Sequence, residues 1–205
     1  MVTELTKDLI ERAFDAMGRM AAERGLIVEI AVYGGSCLIL ASDIRGTSGD
    51  VDAVCCTPPR VATGLDQRGG DADGAADRQS GTDLLPFGEY PRSRDVPVGL
   101  RVFLPAPAYL LAMKILANRL VDDVEKIQLD LDDAVALMRV TNISTRDALE
   151  ALMMECYPNL LGSAGPSLTA RINAKLDDLM DAYARSANAP DPAWHAGRGP
   201  ATRPR

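Results

Sequence analysis

The stretch that most constrains this chain runs from residue 26 to residue 56, "LIVEIAVYGGSCLILASDIRGTSGDVDAVCC". Residues 26 to 33 are β-branched and mostly apolar, which reads as a buried strand. Gly34 and Gly35 supply a tight turn, and Ser36 opens a short apolar helix that closes around Ser42. A polar connection from Arg45 to Gly49 leads into "DVDAVCC", read as a second strand. With a period of two, Asp50 and Asp52 share one side of that strand and Val51 takes the other. Such a unit has two readings. Gly-Gly between strand and helix is often only a turn, and acids often sit on solvated strand edges. The same parts are what a metal-bound nucleotide needs. Glycines let backbone approach phosphate, a serine hydroxyl can donate to it, and a helix N-terminus favours an anion. Two carboxylates at a strand end suit a Mg²⁺ ion that also takes phosphate oxygens.

Composition narrows the alternatives. With 205 residues, 47% of them hydrophobic and 25% charged, the chain is long enough for a sizeable core and reads as globular. Its net charge of −7 gives no diffuse attraction to nucleic acid or to an anionic membrane. No apolar run approaches the ~20 residues of a membrane span. The charged, helix-periodic start "MVTELTKDLIERAFDAM" does not resemble a signal peptide. Cys37, Cys55, Cys56 and Cys156 show no CxxC pair, so free thiols in a reducing cytoplasm are expected. The one histidine, His195, lies in a Pro-, Gly- and Arg-rich tail. Serine or cysteine catalysis through a histidine, and zinc sites built on histidine, therefore lack their parts. Chemistry must rest on carboxylates, hydroxyls, Lys or Arg.

The expected fold is α/β (α+β): a small mixed-sheet core followed by a C-terminal helical block. Apolar positions Leu5, Leu9, Ile10, Ala13, Phe14, Met17 and Met20 predict a helix over 3 to 24, stopped by Gly25. From 57 to 95 the chain is dense in Gly and Asp and poor in large apolar residues, which predicts a disordered insert. "VGLRVFLP" at 98 to 105 predicts a third strand. Helices are expected over 108 to 120, 123 to 139, 145 to 156 and 167 to 187, the third started by a capping box at Ser144 and Asp147. The expected division is a core over 1 to 105, a helical region over 106 to 187 and a disordered tail over 188 to 205.

At this point the residues resemble a known family. Gly35-Ser36, thirteen intervening residues and then "DVDA" look like the signature of the nucleotidyltransferase (polymerase-β-like) fold. The wider pattern, "VYGGSCLIL…R…DVDAV…RVFLPAPAYLLAMKILANR…DLDDAVAL", resembles a bacterial family related to the abortive-infection, type IV toxin–antitoxin nucleotidyltransferase toxins. The resemblance covers residues 5 to 56 and 96 to 160. It implies a Mg²⁺-dependent transfer of a nucleotidyl group from an NTP to an acceptor hydroxyl, on tRNA or on a protein. It also implies a possible toxin role with a cognate antitoxin. Gly34, Gly35 and Ser36 would hold the phosphates, Asp50 and Asp52 the metal, and Lys114 would contact phosphate. Asp130 would be the acid of the family's helix motif, with Asp133 its second acid.

Each of these residues also has an ordinary reading. Lys114, one of four lysines, interrupts an apolar helix face and could simply reach out to water. Asp130 and Asp133 could lie on a solvated helix face. The segment "VGLRVFLP" offers Arg101 where many members of the fold place a third carboxylate. A degenerate module that keeps the fold and binds a nucleotide or a protein partner is the alternative to an enzyme.

Overall fold

A computed structural model describes residues 4–56, 60–61, 87–90, 99–117 and 124–195. The chain is mixed α/β with a C-terminal helical block, as expected. It forms two compact units, Met1–Ala106 together with the segment from Trp194, and Pro107–Ala193.

In the first unit, β1 (Leu5–Thr6) leads into α1 (Lys7–Ala22), and Thr6 caps the helix by accepting from the Leu9 amide. The helix thus starts later than the apolar pattern alone predicts, because Leu5 and Thr6 pair with β3 (Thr47–Ser48). Gly25 takes a φ of 64° after the helix, a left-handed conformation that suits glycine at a helix end. Next come β2 (Leu26–Val32) and α2 (Gly34–Ala41), then β4 (Ala53–Cys55), β5 (Arg60–Val61), β6 (Phe87–Glu89) and β7 (Leu100–Pro105). The main sheet has the order β4-β2-β7-β6, and β5 pairs with the start of β2. Among the described residues only β2 and β7 run parallel; β4 and β6 are antiparallel to their neighbours. This explains why β2 and β7 are the most apolar segments, since central strands are covered on both faces.

The stack of α1 on this sheet depends on two glycines. A Cβ built on Gly99, just before β7, would lie 2.0 Å from the Gly18 carbonyl oxygen and 2.5 Å from the Ala22 nitrogen. Backbone approaches backbone there, with Ile10 and Phe14 filling the remaining space. Tyr90, following β6, is buried and donates its hydroxyl to Glu11 of α1. Burial first, and Glu11 second, hold the Tyr90 phenol above its ordinary range. The expected disordered insert is thus corrected at 60–61 and 87–90, which add strands; the remainder of 57–95 lies outside the described residues. The expected disordered tail is likewise corrected up to His195. Trp194 bridges Ser42, the His195 amide donates to the Ala41 carbonyl at 2.6 Å, and its Nε2 lies 3.1 Å from Asp43 Oδ2. Residues 196–205 lie outside the described set.

The second unit contains α3 (Pro107–Leu116), α4 (Val124–Thr141), α5 (Arg146–Cys156), α6 (Pro158–Gly162) and α7 (Pro166–Arg185). Its core is Leu110, Leu111, Leu137, Met138, Leu149, Met153 and Leu176. The cap of α5 is Thr145, which accepts from the Ala148 amide at 3.3 Å, and not Ser144 as the sequence suggests. Both residues suit the role, so only geometry separates them. Arg139 closes the end of α7 by donating to the Ser186 carbonyl and to the Ala189 carbonyl at 3.1 Å.

Because Gly99 meets backbone rather than a yielding side chain, Gly99→Ala is expected to cost at least about 2 kcal/mol in urea unfolding. Gly46→Ala, where nothing lies within 4 Å of the added carbon, should stay within about 0.5 kcal/mol of wild type.

Candidate functional site

The end of β2 is where the candidate residues meet. Pairing with β4 continues one residue past the strand, where the Tyr33 amide donates to the Asp52 carbonyl at 2.8 Å. The chain then turns into α2 through Gly34, whose φ is 60°. An L-residue pays roughly 1–2 kcal/mol for that conformation, and glycine does not. The second reason for glycine is contact. A Cβ on Gly34 would lie 2.3 Å from Asp52 Oδ2, so the Asp52 carboxylate occupies the space that a side chain would need. At Gly35 the added carbon would meet Arg45 Nη1 at 2.6 Å and Ser48 Oγ at 2.9 Å.

Ser36 is 1% exposed and donates its hydroxyl to the Asp50 carbonyl at 2.6 Å. Its one proton is engaged within the chain, which differs from the expected donation to phosphate. In this arrangement Ser36 ties the loop carrying the acids to the turn. Asp50 and Asp52 are exposed, and both precede β4 instead of lying within it. The expected strand over 50–56 is therefore shorter at its start, where the Asp50 carbonyl is taken by Ser36 instead of by a neighbouring strand. Gly34, Gly35, Ser36, Asp50 and Asp52 are brought together as the sequence predicts. Arg45 and Ser48 join them, and sequence reasoning placed both only in a polar connection. The signal was present as a doublet of glycines, since Gly35 has a normal φ and its lack of a side chain is explained by what leans on it.

No acid completes the set from the neighbouring strand. Ala31 is opposite Phe103, and continuing that register sets Pro105 level with Tyr33. Arg101 lies further back, 3.3 Å from the buried Glu29 and 2.9 Å from Glu89. Glu29 is four residues before Tyr33, about 13 Å along the strand, too far to share an ion with Asp52. Thiols do not substitute. Burial pushes Cys37 up to about 12, and burial followed by the charge of Glu29 raises Cys56. Both stay protonated at neutral pH, where the thiolate is the nucleophile.

Lys114, Asp130 and Asp133 form a second cluster, within the helical unit. The Lys114 ammonium lies 2.5 Å from Asp130 Oδ1 and 2.8 Å from Asp133 Oδ2, and each acid is only 2% exposed. Both ordinary readings are thereby corrected: Lys114 does not reach out to water, and neither acid lies on a solvated face. The residues are at i and i+3 on α4, so one helix face presents both carboxylates to one α3 side chain. Removing the lysine charge would strand two buried carboxylates, a change typically costing several kcal/mol.

The chain matches no protein-family model, and neither a curated protein nor a solved structure matches it significantly.

Gly34→Ala tests the turn. It is expected to lower stability by about 1–3 kcal/mol, from the left-handed φ and the collision with Asp52. Gly25→Ala shares the φ but has open space around it, so it should cost only the conformational part. Urea unfolding of the pair gives the difference.

Proposed function

We propose that the chain is a Mg²⁺-dependent nucleotidyltransferase, moving a nucleotidyl group from an NTP to an acceptor hydroxyl. The observation that carries this reading is the Asp52 carboxylate seated against Gly34. It makes the Gly-Gly-Ser turn and the Asp50–Asp52 loop parts of one site. The resemblance of both motifs to the nucleotidyltransferase fold supports the same reading.

Among the described residues no group of three or more His, Cys, Asp or Glu side chains is arranged to hold a metal ion. Two acids fit an ion shared with substrate, since magnesium in phosphoryl-transfer sites takes one or two carboxylates and completes its shell from phosphates and water. Asp50 and Asp52 would hold it, and when bound it would neutralise charge on the transferring phosphate. The protein's own residues orient the reactants. Gly34 and Gly35 let the Asp52 carboxylate and the Arg45 guanidinium close onto the backbone of the turn, and Ser36 fixes the Asp50 carbonyl. Positioning and charge neutralisation are the main contributions expected in this chemistry. The resemblance also assigns Lys114 and Asp130 to the reaction; within the helical unit Lys114 pairs with Asp130 and Asp133. The acceptor would be a hydroxyl of tRNA or of a protein, and a toxin with a cognate antitoxin is the biological setting the resemblance suggests. No helix among the described residues is long and apolar enough to cross a membrane.

A degenerate binding module is the second reading, favoured by the missing third acid and by the engaged Ser36 hydroxyl. Thermal shift with each of the four NTPs, with and without Mg²⁺, followed by incubation of labelled NTP with total RNA or lysate, separates the two. The enzyme reading expects a Mg²⁺-dependent shift and label on an acceptor, both lost in Asp50→Asn/Asp52→Asn. A shift without label leaves the binding module, and no shift with any nucleotide removes both.

A further inference from the structure

The carboxylates explain where a metal ion would go, but they do not explain how a polyanion enters this turn. A triphosphate carries about four negative charges near neutral pH, and Asp50 and Asp52 repel it. The chain as a whole, at −7, adds no attraction. A cation at the turn itself would offset that repulsion. In the first unit, Lys7 donates to the Leu40 carbonyl at 3.3 Å, and Arg101 is held between Glu29 and Glu89. Arg45, which also has an interaction within the chain, is the one of these that stands at the turn.

We infer that Arg45 is the phosphate-binding cation of this site, gripping the polyphosphate chain of its substrate. The inference deepens the nucleotide reading and rests on it for the substrate class. The geometry is specific. The position of a Gly35 Cβ is 2.6 Å from Arg45 Nη1 and 3.5 Å from its Cζ, so the guanidinium lies directly over the Gly35 α-carbon. The neighbouring glycine carries the Asp52 carboxylate in the same way. Consecutive α-carbons are about 3.8 Å apart, so one turn holds a cation over one residue and an anion over the next. That is the charge arrangement a metal-bound triphosphate requires: a guanidinium for phosphate oxygens beside a carboxylate for the metal.

Arg45 is also held in place. The segment after it is pinned by β3, where Thr47 pairs with Thr6 and Ser48 with Leu5. The segment before it is fixed by the Ile44 amide donating to Ser42 Oγ at 3.3 Å. The side chain is half-buried and makes contacts of its own within the chain. A guanidinium has five N–H donors, so it can keep such contacts and still offer a fork to phosphate. Lysine in its place would retain the charge but lose the two-point geometry.

The test uses calorimetric titration of the full chain with inorganic tripolyphosphate in EDTA, and with each NTP plus Mg²⁺. Wild type is expected to bind tripolyphosphate, more weakly as salt rises. Arg45→Ala should weaken that binding at least about tenfold, with part of it restored in Arg45→Lys. Arg45→Gln, close in length and polar, serves the same comparison if the alanine variant does not fold by circular dichroism. Tripolyphosphate binding that is absent in wild type, or equal in wild type and the Arg45 variants, overturns the inference. The two readings fail separately. Mg²⁺-dependent NTP binding that ignores Arg45 sinks this inference alone. Arg45-dependent tripolyphosphate binding with no response to any NTP leaves the anion site and sinks the nucleotide reading.

Discussion

One contact organises this protein: the Asp52 carboxylate against the α-carbon of Gly34, at the point where β2 becomes α2. Three constraints meet there. The positive φ of Gly34 turns the chain, the Tyr33–Asp52 backbone bond draws the acid-bearing loop to the strand end, and Ser36 secures Asp50 from the helix side. None of these interactions is strong alone, at about 1 kcal/mol for a hydrogen bond and a similar amount for the turn. Their effect is geometric. They hold exposed carboxylates on a buried frame, because β2 is central in the sheet and α2 is buried from Gly35 to Ala41.

The helical unit uses charge differently. Asp50 and Asp52 stay in water, as the proposed exchange of metal and substrate needs. Lys114, Asp130 and Asp133 are withdrawn from water and ion-paired with one another at short range, although Asp133 Oδ2 makes no hydrogen bond among the described residues. A buried cluster of this kind is weak evidence for stability, since apolar residues of similar volume often serve as well. It does fix which face of α4 meets α3, because sliding either helix by one residue would separate the charges. The resemblance assigns these three residues to the reaction, while their burial gives them an architectural part as well.

Much of this was legible in the sequence, and the failures have physical causes. The long elements were readable because apolar spacing survives any tertiary arrangement: α1, β2, β7 and the larger helices lie close to their expected positions. The two-residue strands β1 and β3 were not, since their pairing is non-local and "LT" and "TS" carry no pattern. The strand over 50–56 lost its first residues because Ser36 takes the Asp50 carbonyl. For the site, residue types and spacing pointed to Gly34, Gly35, Ser36, Asp50 and Asp52 together. What spacing could not show was orientation, namely that the Ser36 hydroxyl turns inward and that Arg45 folds back over Gly35. Lys114 and its two acids lie 16 and 19 positions apart along the chain, and only the packing of α3 on α4 joins them.

The central claim is that the turn and the acid loop make one metal–triphosphate site. Electron paramagnetic resonance of Mn²⁺, standing in for Mg²⁺, addresses it directly when the chain is titrated with and without a non-hydrolysable NTP analogue. Mn²⁺ is expected to bind in a nucleotide-dependent manner, and to be lost in a folded Asp50→Asn/Asp52→Asn variant. Mn²⁺ uptake indifferent to nucleotide, or unchanged by that double substitution, would contradict it.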